Sequence, residues 1–290
     1  MAELIGAELH GDSHELVRPA AIWDADGGSL CFLVMEPSWG DDIYKRPGLV
    51  IASPEIVEVL RNENCAAIGH EAPKFAFCKA VHTLMRPPVQ PGIHESAILG
   101  PDVKLGEDVS IGPFCVLQGQ TELGDGVVLE AGVTLYNSVA IGSGTTIRSG
   151  ARIGYDPFSF GVAADGEGYP FPAYGGVKIG SFVEIFHNVS IARGNAGDTV
   201  LSDWVRVGNN AHIGNTAEIG IGAMVCAQTD ISAEVRIGRR CWIGQSAAIR
   251  QKLEIGNNTT VGMGAVVVEN VPSDVTVTGV PARAWDRFGA

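Results

Sequence analysis

Two histidines in the second half of the chain, His187 and His212, are the side chains best suited to take a proton from a substrate. A neutral imidazole has a pKa close to working pH, so it can act as a general base. His187 lies in the segment Ile185-Phe-His-Asn-Val189, two residues after an aliphatic position. His212 directly precedes the aliphatic Ile213, so we expect its side chain to point outward. Both histidines are therefore candidate bases.

The chain has no residues spaced as metal ligands. Its histidines are scattered and do not give the three-imidazole set of a catalytic zinc site. The six cysteines show no metal-type spacing either, and Cys115 sits at an inward position of the repeat described below. We therefore expect no metal, and mostly structural, reduced cysteines, as in a cytoplasmic protein.

A six-residue hydrophobic repeat must position these residues. An aliphatic side chain falls at every sixth position from Ile93 to Ile153 and again from Val207 to Val267. A helix would space apolar residues by three and four, and an ordinary strand by two, whereas a period of six is typical of a parallel β-helix. Each aliphatic residue should point inward, and the Gly or Asn that often follows it tolerates the corner. Three hexads make one triangular coil, and successive coils stack about 4.8 Å apart.

The repeat also divides the chain. Residues 1–88 do not keep it, and their pattern of short strands and helices predicts a small α/β domain. Residues 89–280 form the predicted β-helix, followed by a short tail at 281–290. The predicted fold class is therefore mainly β. We find no signal peptide and no apolar run long enough to span a bilayer, which again favours a cytoplasmic protein.

The repeat fails at two places. Residues 155–178 are rich in aromatic residues, Gly and Pro, and cannot stack within a coil, so they must loop out. This insertion is either a plain surface loop or a flap over a substrate cleft. After Ile191 the next aliphatic position is Leu201, ten residues later, which predicts a bulge at one corner.

Several segments resemble the UDP-3-O-acylglucosamine N-acyltransferase family of lipid A biosynthesis, the LpxD-like family. The segments that carry the resemblance are Leu4–Asp12, Gly28–Leu33, Pro73–Pro88, Asp156–Phe160, Val183–Gly194 and Asp198–Val200. The resemblance implies a left-handed β-helix and a homotrimer with sites between neighbouring subunits. It also implies transfer of an acyl group from a thioester to the amine of a nucleotide-linked amino sugar.

The resemblance also implies which residues contact the substrate. The first domain would hold the uridine, with Phe32 and Trp39 at the aromatic positions. The motif Asp156-Pro-Phe-Ser-Phe160 resembles the family's Asp-Gly-Phe-Gly-Phe loop. The expected substrate contacts are therefore Phe32, Trp39, Asp156, Phe158, Phe160, Asn188 and Asn215.

The chain departs from the family at the catalytic base. Aligned in register, the family's catalytic His falls on Asn215, and its second His falls on Lys252. The base must therefore come from elsewhere in the chain. We favour His187, because its place two residues after an aliphatic residue matches the family's placement, and His212 is the alternative.

Positive charges gather in the last coils, although the formal net charge of the chain is −13. They are either a solvated face or a dock for an anionic acyl carrier, because coenzyme A and acyl carrier protein are both negative. The expected donor contacts are Arg236, Arg239, Arg240, Arg250, Lys252 and Arg283. The overall acidity argues against nucleic acid as a partner.

Three functions fit the sequence. The first is an N-acyltransferase acting on a nucleotide-linked amino sugar, with acyl-CoA or acyl carrier protein as co-substrate and no permanently bound cofactor. The second is an acetyl-CoA-dependent sugar acetyltransferase, because Gly279-Val-Pro-Ala-Arg283 resembles the terminal turn of such enzymes. The third is a catalytically inactive binding or scaffold protein, which the replaced histidines would permit.

Overall fold

The computed structural model describes residues 1–6, 9–10, 16, 18–34, 47–62, 65–85, 87 and 89–284. Its contacts divide the chain into two compact units, Met1–Pro88 and Val89–Ala290. Within the described residues, no helix has the length and apolar character needed to cross a membrane.

The first unit is a five-stranded sheet with short helices, so the α/β organisation predicted for it is confirmed. The strands lie in the spatial order Leu9–His10, Ala67–Gly69, Leu49–Ala52, Ser29–Leu33, Arg18–Pro19, and all neighbours are parallel except the first pair. The helices are Ala2–Ile5, the 3-10 turn Ile22–Asp24, Pro54–Asn62 and Pro73–Leu84. In helix Pro54–Asn62 the residues Ile56, Val57 and Leu60 are buried, as their helical spacing requires.

The second unit is a parallel β-helix, as the six-residue repeat predicts. Its strands pair with those one coil later, in a register of 18 residues, as in Val116↔Thr134. The register lengthens where the predicted insertion and bulge lie, at Arg152↔Ser190 and Ser190↔His212.

The three sides of the coil differ in character, and we name them accordingly. The histidine face consists of Ile98–Leu99, Val116–Leu117, Thr134–Leu135, Arg152–Tyr155, Ser190–Ala192, His212–Ile213, Asp230–Ile231, Ala248–Ile249 and Val266–Val267. The charged face consists of Lys104–Leu105, Thr121–Leu123, Val139–Ile141, Val177–Ile179, Thr199–Leu201, Glu218–Ile219, Arg236–Ile237 and Glu254–Ile255. The apolar face consists of Gly92–Ile93, Ser110–Ile111, Val128–Leu129, Thr146–Ile147, Glu184–Ile185, Arg206–Val207, Met224–Val225, Trp242–Ile243, Thr260–Val261, Thr276–Thr278 and Arg283–Ala284.

The corners between these faces are named after one residue each. The chain passes from the apolar face to the histidine face at the His187 corner, then to the charged face at the Asn215 corner, and back at the Trp204 corner. The third turn residue has a positive φ in almost every coil, for example 56° at Asn188, 58° at Thr216 and 62° at Trp204.

The aliphatic repeat forms the core, as predicted. Ile153, Ile185 and Ile213 are fully buried, and the small residues four places after an aliphatic position fill the space beside them. The first coil differs, because Ile93 is 50% exposed and Leu105 is 37% exposed. This coil is the first of the second unit, so within the β-helix its inward residues have a neighbouring coil on one side only.

The insertion leaves the coil at the Asn215 corner. Its ends belong to the strands Arg152–Tyr155 and Val177–Ile179, so residues 156–176 loop out. Within the loop, Phe160–Val162 and Gly168–Pro170 form an antiparallel hairpin. At the other end of the β-helix, Arg283–Ala284 pairs antiparallel with Thr276–Thr278, so this part of the expected tail belongs to the sheet.

Candidate active site

The Asn215 corner gathers three segments that the sequence separates. Residues 156–176 leave the coil here, residues 193–198 form the bulge one coil later, and Asn215 and Thr216 make the next turn. Asn215 is only 8% exposed. The insertion and the bulge therefore stand directly beside Asn215, one of the predicted substrate contacts.

Asn195 of the bulge connects these segments. Its backbone carbonyl accepts a hydrogen bond from the Tyr174 amide at 2.7 Å, and its own amide donates to Thr216 Oγ1 at 3.2 Å. Its Nδ2 donates to Ser159 Oγ at 3.4 Å, whereas its buried Oδ1 has no partner within the described residues. The base of the hairpin is thus fixed to the coil that contains Asn215.

Two ion pairs support the base of the insertion. Arg193, largely buried, donates from Nε to the Gly175 carbonyl at 2.8 Å and lies 3.9 Å from Asp156 Oδ1. Asp198 pairs with Lys178 at 2.6 Å and accepts from the Gly176 amide at 2.8 Å. The hydrogen bond from Lys178, with that of the Gly176 amide, lowers the pKa of Asp198.

The aromatic residues of the hairpin face solvent. Phe158 is 96% exposed and Phe160 is 49% exposed, and their rings meet edge to face with centroids 5.1 Å apart. Large apolar side chains exposed to this degree on a loop are suited to contact a ligand or a neighbouring chain.

His212 lies on the histidine face and pairs with a carboxylate. Its Nδ1 is 2.6 Å from Oδ1 of Asp230, which occupies the same position one coil later. A carboxylate can only accept hydrogen bonds when ionised, so the neutral tautomer that fits this contact has its proton on Nδ1 and leaves Nε2 as an acceptor. The His212 side chain is 42% exposed. This arrangement fits a general base.

Ser190 and Tyr155 extend this polar strip toward the insertion. Ser190 pairs with His212 in the coil before it, and Tyr155 ends the strand before that. Burial raises the pKa of Tyr155, while its hydrogen bond with Ser190 acts in the opposite direction. The Tyr155 hydroxyl therefore stays protonated and can donate a hydrogen bond near the histidine.

His187 and Asn188 lie elsewhere, at the His187 corner. The His187 amide donates to Asn209 Oδ1 at 3.0 Å, and its carbonyl accepts from the Asn210 amide at 2.9 Å. Both side chains are exposed. The full width of the histidine face separates them from the Asn215 corner, so one chain does not bring His187 together with the insertion.

The six predicted donor residues do not form one cluster within a chain. Arg236 lies on the charged face between Glu218 and Glu254, at 3.5 and 3.3 Å. Arg239 and Arg240 lie at the Trp204 corner, Arg250 and Lys252 at the Asn215 corner, and Arg283 in the last strand. The residues follow one another in sequence, but the chain turns around the triangle between them.

In the first unit, Phe32 is half-buried and packs on Phe77, with ring centroids 4.9 Å apart. This contact explains the partial burial of the Phe32 ring by packing alone. Trp39 lies outside the described residues.

The β-helix also has a concavity away from His212 and the insertion. It is a shallow groove of about 740 Å³ on the charged face, lined by Glu218, Arg236 and Glu254 among others. The carboxylates on both sides of Arg236 already neutralise its charge, so the groove has little to offer an anionic donor. Within the described residues, no group of three or more His, Cys, Asp or Glu side chains could hold a metal ion.

Sequence reasoning missed Asp230, Tyr155 and Asn195. Asp230 could have been found, because it follows His212 by 18 residues and the repeat predicts coils of 18. The insertion interrupts that count between Tyr155 and Ser190, and nothing in the sequence marks Asn195 as the link to the hairpin.

Comparisons with known proteins show which family the chain is similar to. Residues 102–137 and 234–269 match the model of the hexapeptide repeat of succinyl-transferase. A UDP-3-O-acylglucosamine N-acyltransferase of Delftia acidovorans is 34% identical over 284 residues, covering 96% of this chain and 84% of that protein. One of Aromatoleum aromaticum is 40% identical over 237 residues, covering 73% of this chain and 68% of that protein.

Solved structures agree with the fold. LpxA from Acinetobacter baumannii superposes with a TM-score of 0.61 at 25% identity, covering 67% of this chain and 73% of that chain. LpxA from Bacteroides fragilis, a UDP-N-acetylglucosamine acyltransferase, gives a TM-score of 0.51, also at 25% identity, over 67% of this chain and 74% of that one. By its identity to relatives along nearly its whole length, the chain belongs to the UDP-3-O-acylglucosamine N-acyltransferase family.

Proposed function

We propose that the protein transfers an acyl group from a thioester to the amine of a UDP-linked amino sugar, as in lipid A or surface glycan biosynthesis. The observation that carries this proposal is the pairing of His212 with Asp230 at 2.6 Å, on the face that borders the insertion. It supplies a base although the family's own position is Asn215. The names of the relatives supply the substrate class.

In the proposed reaction the sugar amine attacks the carbonyl carbon of the thioester. His212 Nε2 takes the proton that the amine loses, and Asp230 stabilises the imidazolium that forms. The tetrahedral intermediate then collapses, the C–S bond breaks, and the leaving thiolate takes the proton from the imidazolium. A backbone N–H of a nearby turn would stabilise the oxyanion. No bound cofactor enters the reaction, since acyl-CoA or acyl carrier protein is a co-substrate.

We propose that the protein is a homotrimer, because apolar and charged side chains are distributed unevenly over the faces of the β-helix. The charged face carries ladders of ion pairs such as Glu218–Arg236–Glu254, which suit solvent. The apolar face exposes Met224 and Trp242, at 43% and 49%. In a cyclic trimer the apolar face of one subunit would pack on the histidine face of the next, with the His187 corner, where Arg148 pairs with Glu130, near the axis.

This arrangement would put the Asn215 corner of one subunit opposite the Trp204 corner of its neighbour. The substrate residues Asp156, Phe158 and Phe160 and the donor residues Arg239 and Arg240 would then line one cleft from two sides. It also favours His212 over His187, which would lie near the axis. We propose that the protein acts in the cytoplasm, where both co-substrates occur.

Paired histidine variants test the proposal. His212→Gln should lower kcat/KM by about 10²- to 10⁴-fold, the usual contribution of a general base. His187→Gln is the matched control, because it changes the other candidate and should alter the rate by less than about threefold. The assay follows thiol release from acyl-CoA or acyl carrier protein thioesters with a UDP-linked amino sugar.

The other outcomes assign the roles differently. A large loss in His187→Gln with a near-normal His212→Gln would make His187 the base. Turnover with acetyl-CoA alone would make the protein a sugar acetyltransferase. A wild-type protein that binds the UDP-sugar in calorimetry but transfers no acyl group would be a binding homologue.

A further inference from the structure

Two aromatic residues stack at the Trp204 corner. Phe182 and Trp204 occupy the same turn position in successive coils, and their rings lie nearly parallel, with centroids 4.6 Å apart and 18° between planes. Both have a positive φ, which is uncommon for bulky side chains, and both are about half exposed. Phe182 covers one face of the indole, so the other face turns toward the following coil.

The following coil leaves this position without a side chain. Its residue is Gly222, and Arg240 occupies the position one coil further on. Trp204 and Arg240 are two coils apart, which corresponds to about 9.6 Å. This distance leaves room for one planar ring between them, at stacking distance from both. A Cβ atom at Gly222 would contact only Cγ of Arg240, at 3.7 Å, so the space is open. Ile221, which directly precedes Gly222, is 47% exposed.

Three arginines lie at the same corner as this slot, in the coils of Trp204 and Arg240. Arg206 lies 5.7 Å from the centre of the Trp204 ring and is held by the Phe182 carbonyl at 3.0 Å. Arg240 Nε donates to Asn258 Oδ1 at 2.9 Å, which directs its guanidinium away from Gly222. Arg239 is exposed, and across residues 89–284 we find no ion pair that neutralises it. Asp203, which directly precedes Trp204, accepts a hydrogen bond from the Ser181 amide.

We propose that this slot binds the nucleotide of the acyl donor, an adenine ring carrying phosphates as in coenzyme A. The base would stack on the free face of Trp204, and the arginines would pair with the phosphates. The assignment rests on the proposed function with acyl-CoA as its thioester donor, because the pantetheine arm of acyl carrier protein carries no adenine. The Trp204 corner is opposite the histidine face within one chain, so the slot would serve His212 of a neighbouring subunit.

Filling the slot tests this assignment. Gly222→Asn adds a side chain where the base would lie, and Asn tolerates the positive φ of 68°. Gly126→Asn is the matched control, because Gly126 has the same turn position, a φ of 64° and no atom within 4 Å of the place that a Cβ would take. The assay compares acyl-CoA with S-acyl-pantetheine, a donor that lacks the nucleotide.

Gly222→Asn should lower kcat/KM for acyl-CoA at least ten times more than for S-acyl-pantetheine, on the order of the loss expected when one base no longer stacks. Trp204→Leu should act in the same direction, and Gly126→Asn should follow wild type with both donors. An equal effect on the two donors would overturn the proposal, as would a change of oligomeric state in Trp204→Leu, which would make the stack a subunit contact.

Calorimetry separates failure of the slot from failure of the proposed function. If the wild-type protein transfers no acyl group, binding of adenosine 3′,5′-bisphosphate still decides: affinity lowered at least tenfold in Gly222→Asn supports the slot, and no binding to wild type overturns it. If UDP alone binds and Gly222→Asn weakens it, the nucleotide belongs to the acceptor and the donor assignment is wrong.

Discussion

The Asn215 corner and the Trp204 corner use the same coil geometry in different ways. At the Asn215 corner the chain leaves the coil twice, at 156–176 and at 193–198. At the Trp204 corner the turns stay short and regular from coil to coil, and only the side chains change. One corner therefore gains surface by insertion, and the other by substitution within an intact repeat.

The difference shows how a rigid scaffold acquires sites. An insertion adds new backbone, which needs its own packing, and Asn195 and Arg193 supply it here. A substitution needs no new packing, so a column that alternates between Trp204, Gly222 and Arg240 can form a slot at little cost to the fold. In the proposed trimer, the insertion at the Asn215 corner and the slot at the Trp204 corner meet only between subunits.

Mixed oligomers test directly whether the two corners of neighbouring subunits form one site, and they should give the largest change in rate. His212→Gln removes the base from one side of the proposed cleft, and Gly222→Asn blocks the slot on the other side. After co-expression, about a quarter of the sites should combine an intact histidine face with an intact Trp204 corner. The rate at limiting acyl-CoA should therefore rise well above that of either variant alone.

The control mixes His212→Gln with Asp230→Asn. These residues lie on one face of one subunit, so every subunit in the mixture carries a defective pair and activity should not recover. Equal recovery in both mixtures, or none in the first, would show that the two corners do not share a site.

A stability comparison should show that the inserted corner tolerates less change. A Cβ at Gly194 would overlap the backbone carbonyl of Gly197, so Gly194→Ala should lower the free energy of unfolding by about 3 kcal/mol or more. At the regular corner, a Cβ at Gly126 meets no atom, and Gly126→Ala should cost only about 1 kcal/mol for its positive φ.

Urea unfolding of both variants measures the difference. Equal midpoints would show that the bulge can relax, and that the packing beneath the hairpin is looser than the structure indicates. A second variant, Gly175→Ala, contacts the same Gly197 carbonyl and should repeat the result of Gly194→Ala.

The sequence was sufficient to predict the scaffold. The aliphatic repeat marks which residues point inward, and Ile153, Ile185 and Ile213 are all buried. It also located the insertion and the bulge, because residues that break the repeat cannot stack. Their common position at the Asn215 corner follows from counting six residues per side.

The site was harder to predict, because residues close in sequence lie on different sides of the triangle. Arg236, Arg240 and Arg250 span less than one coil and lie on a face and two different corners. Conversely, His212 and Asp230 are 18 residues apart and in contact. Such pairs are found only by comparing residues that are one coil, or 18 positions, apart. This comparison fails between Tyr155 and Ser190, because the insertion shifts the register there.

The smallest effect concerns the charge that holds the base of the insertion. The pKa of Asp198 is lowered by Lys178, so the folded state binds a proton less readily than the unfolded chain. The pair therefore adds stability above the unfolded pKa of about 3.9, and this is lost as pH falls through the lower folded pKa. Asp198→Asn keeps an oxygen for the Gly176 amide but removes the charge, and should cost less than about 1 kcal/mol at pH 7, since Lys178 is exposed.

Urea midpoints of wild type and Asp198→Asn, measured from pH 7 to pH 3, distinguish the two contributions. The difference between them should be constant down to about pH 5, shrink below pH 4, and also shrink in 1 M salt at neutral pH. Equal midpoints for wild type and Asp198→Asn at every pH and salt concentration would mean that Asp198 acts only through its hydrogen bond with the Gly176 amide, which the variant keeps. The inserted corner would then depend on backbone packing, like Gly194, and the ion pair with Lys178 would be incidental to it.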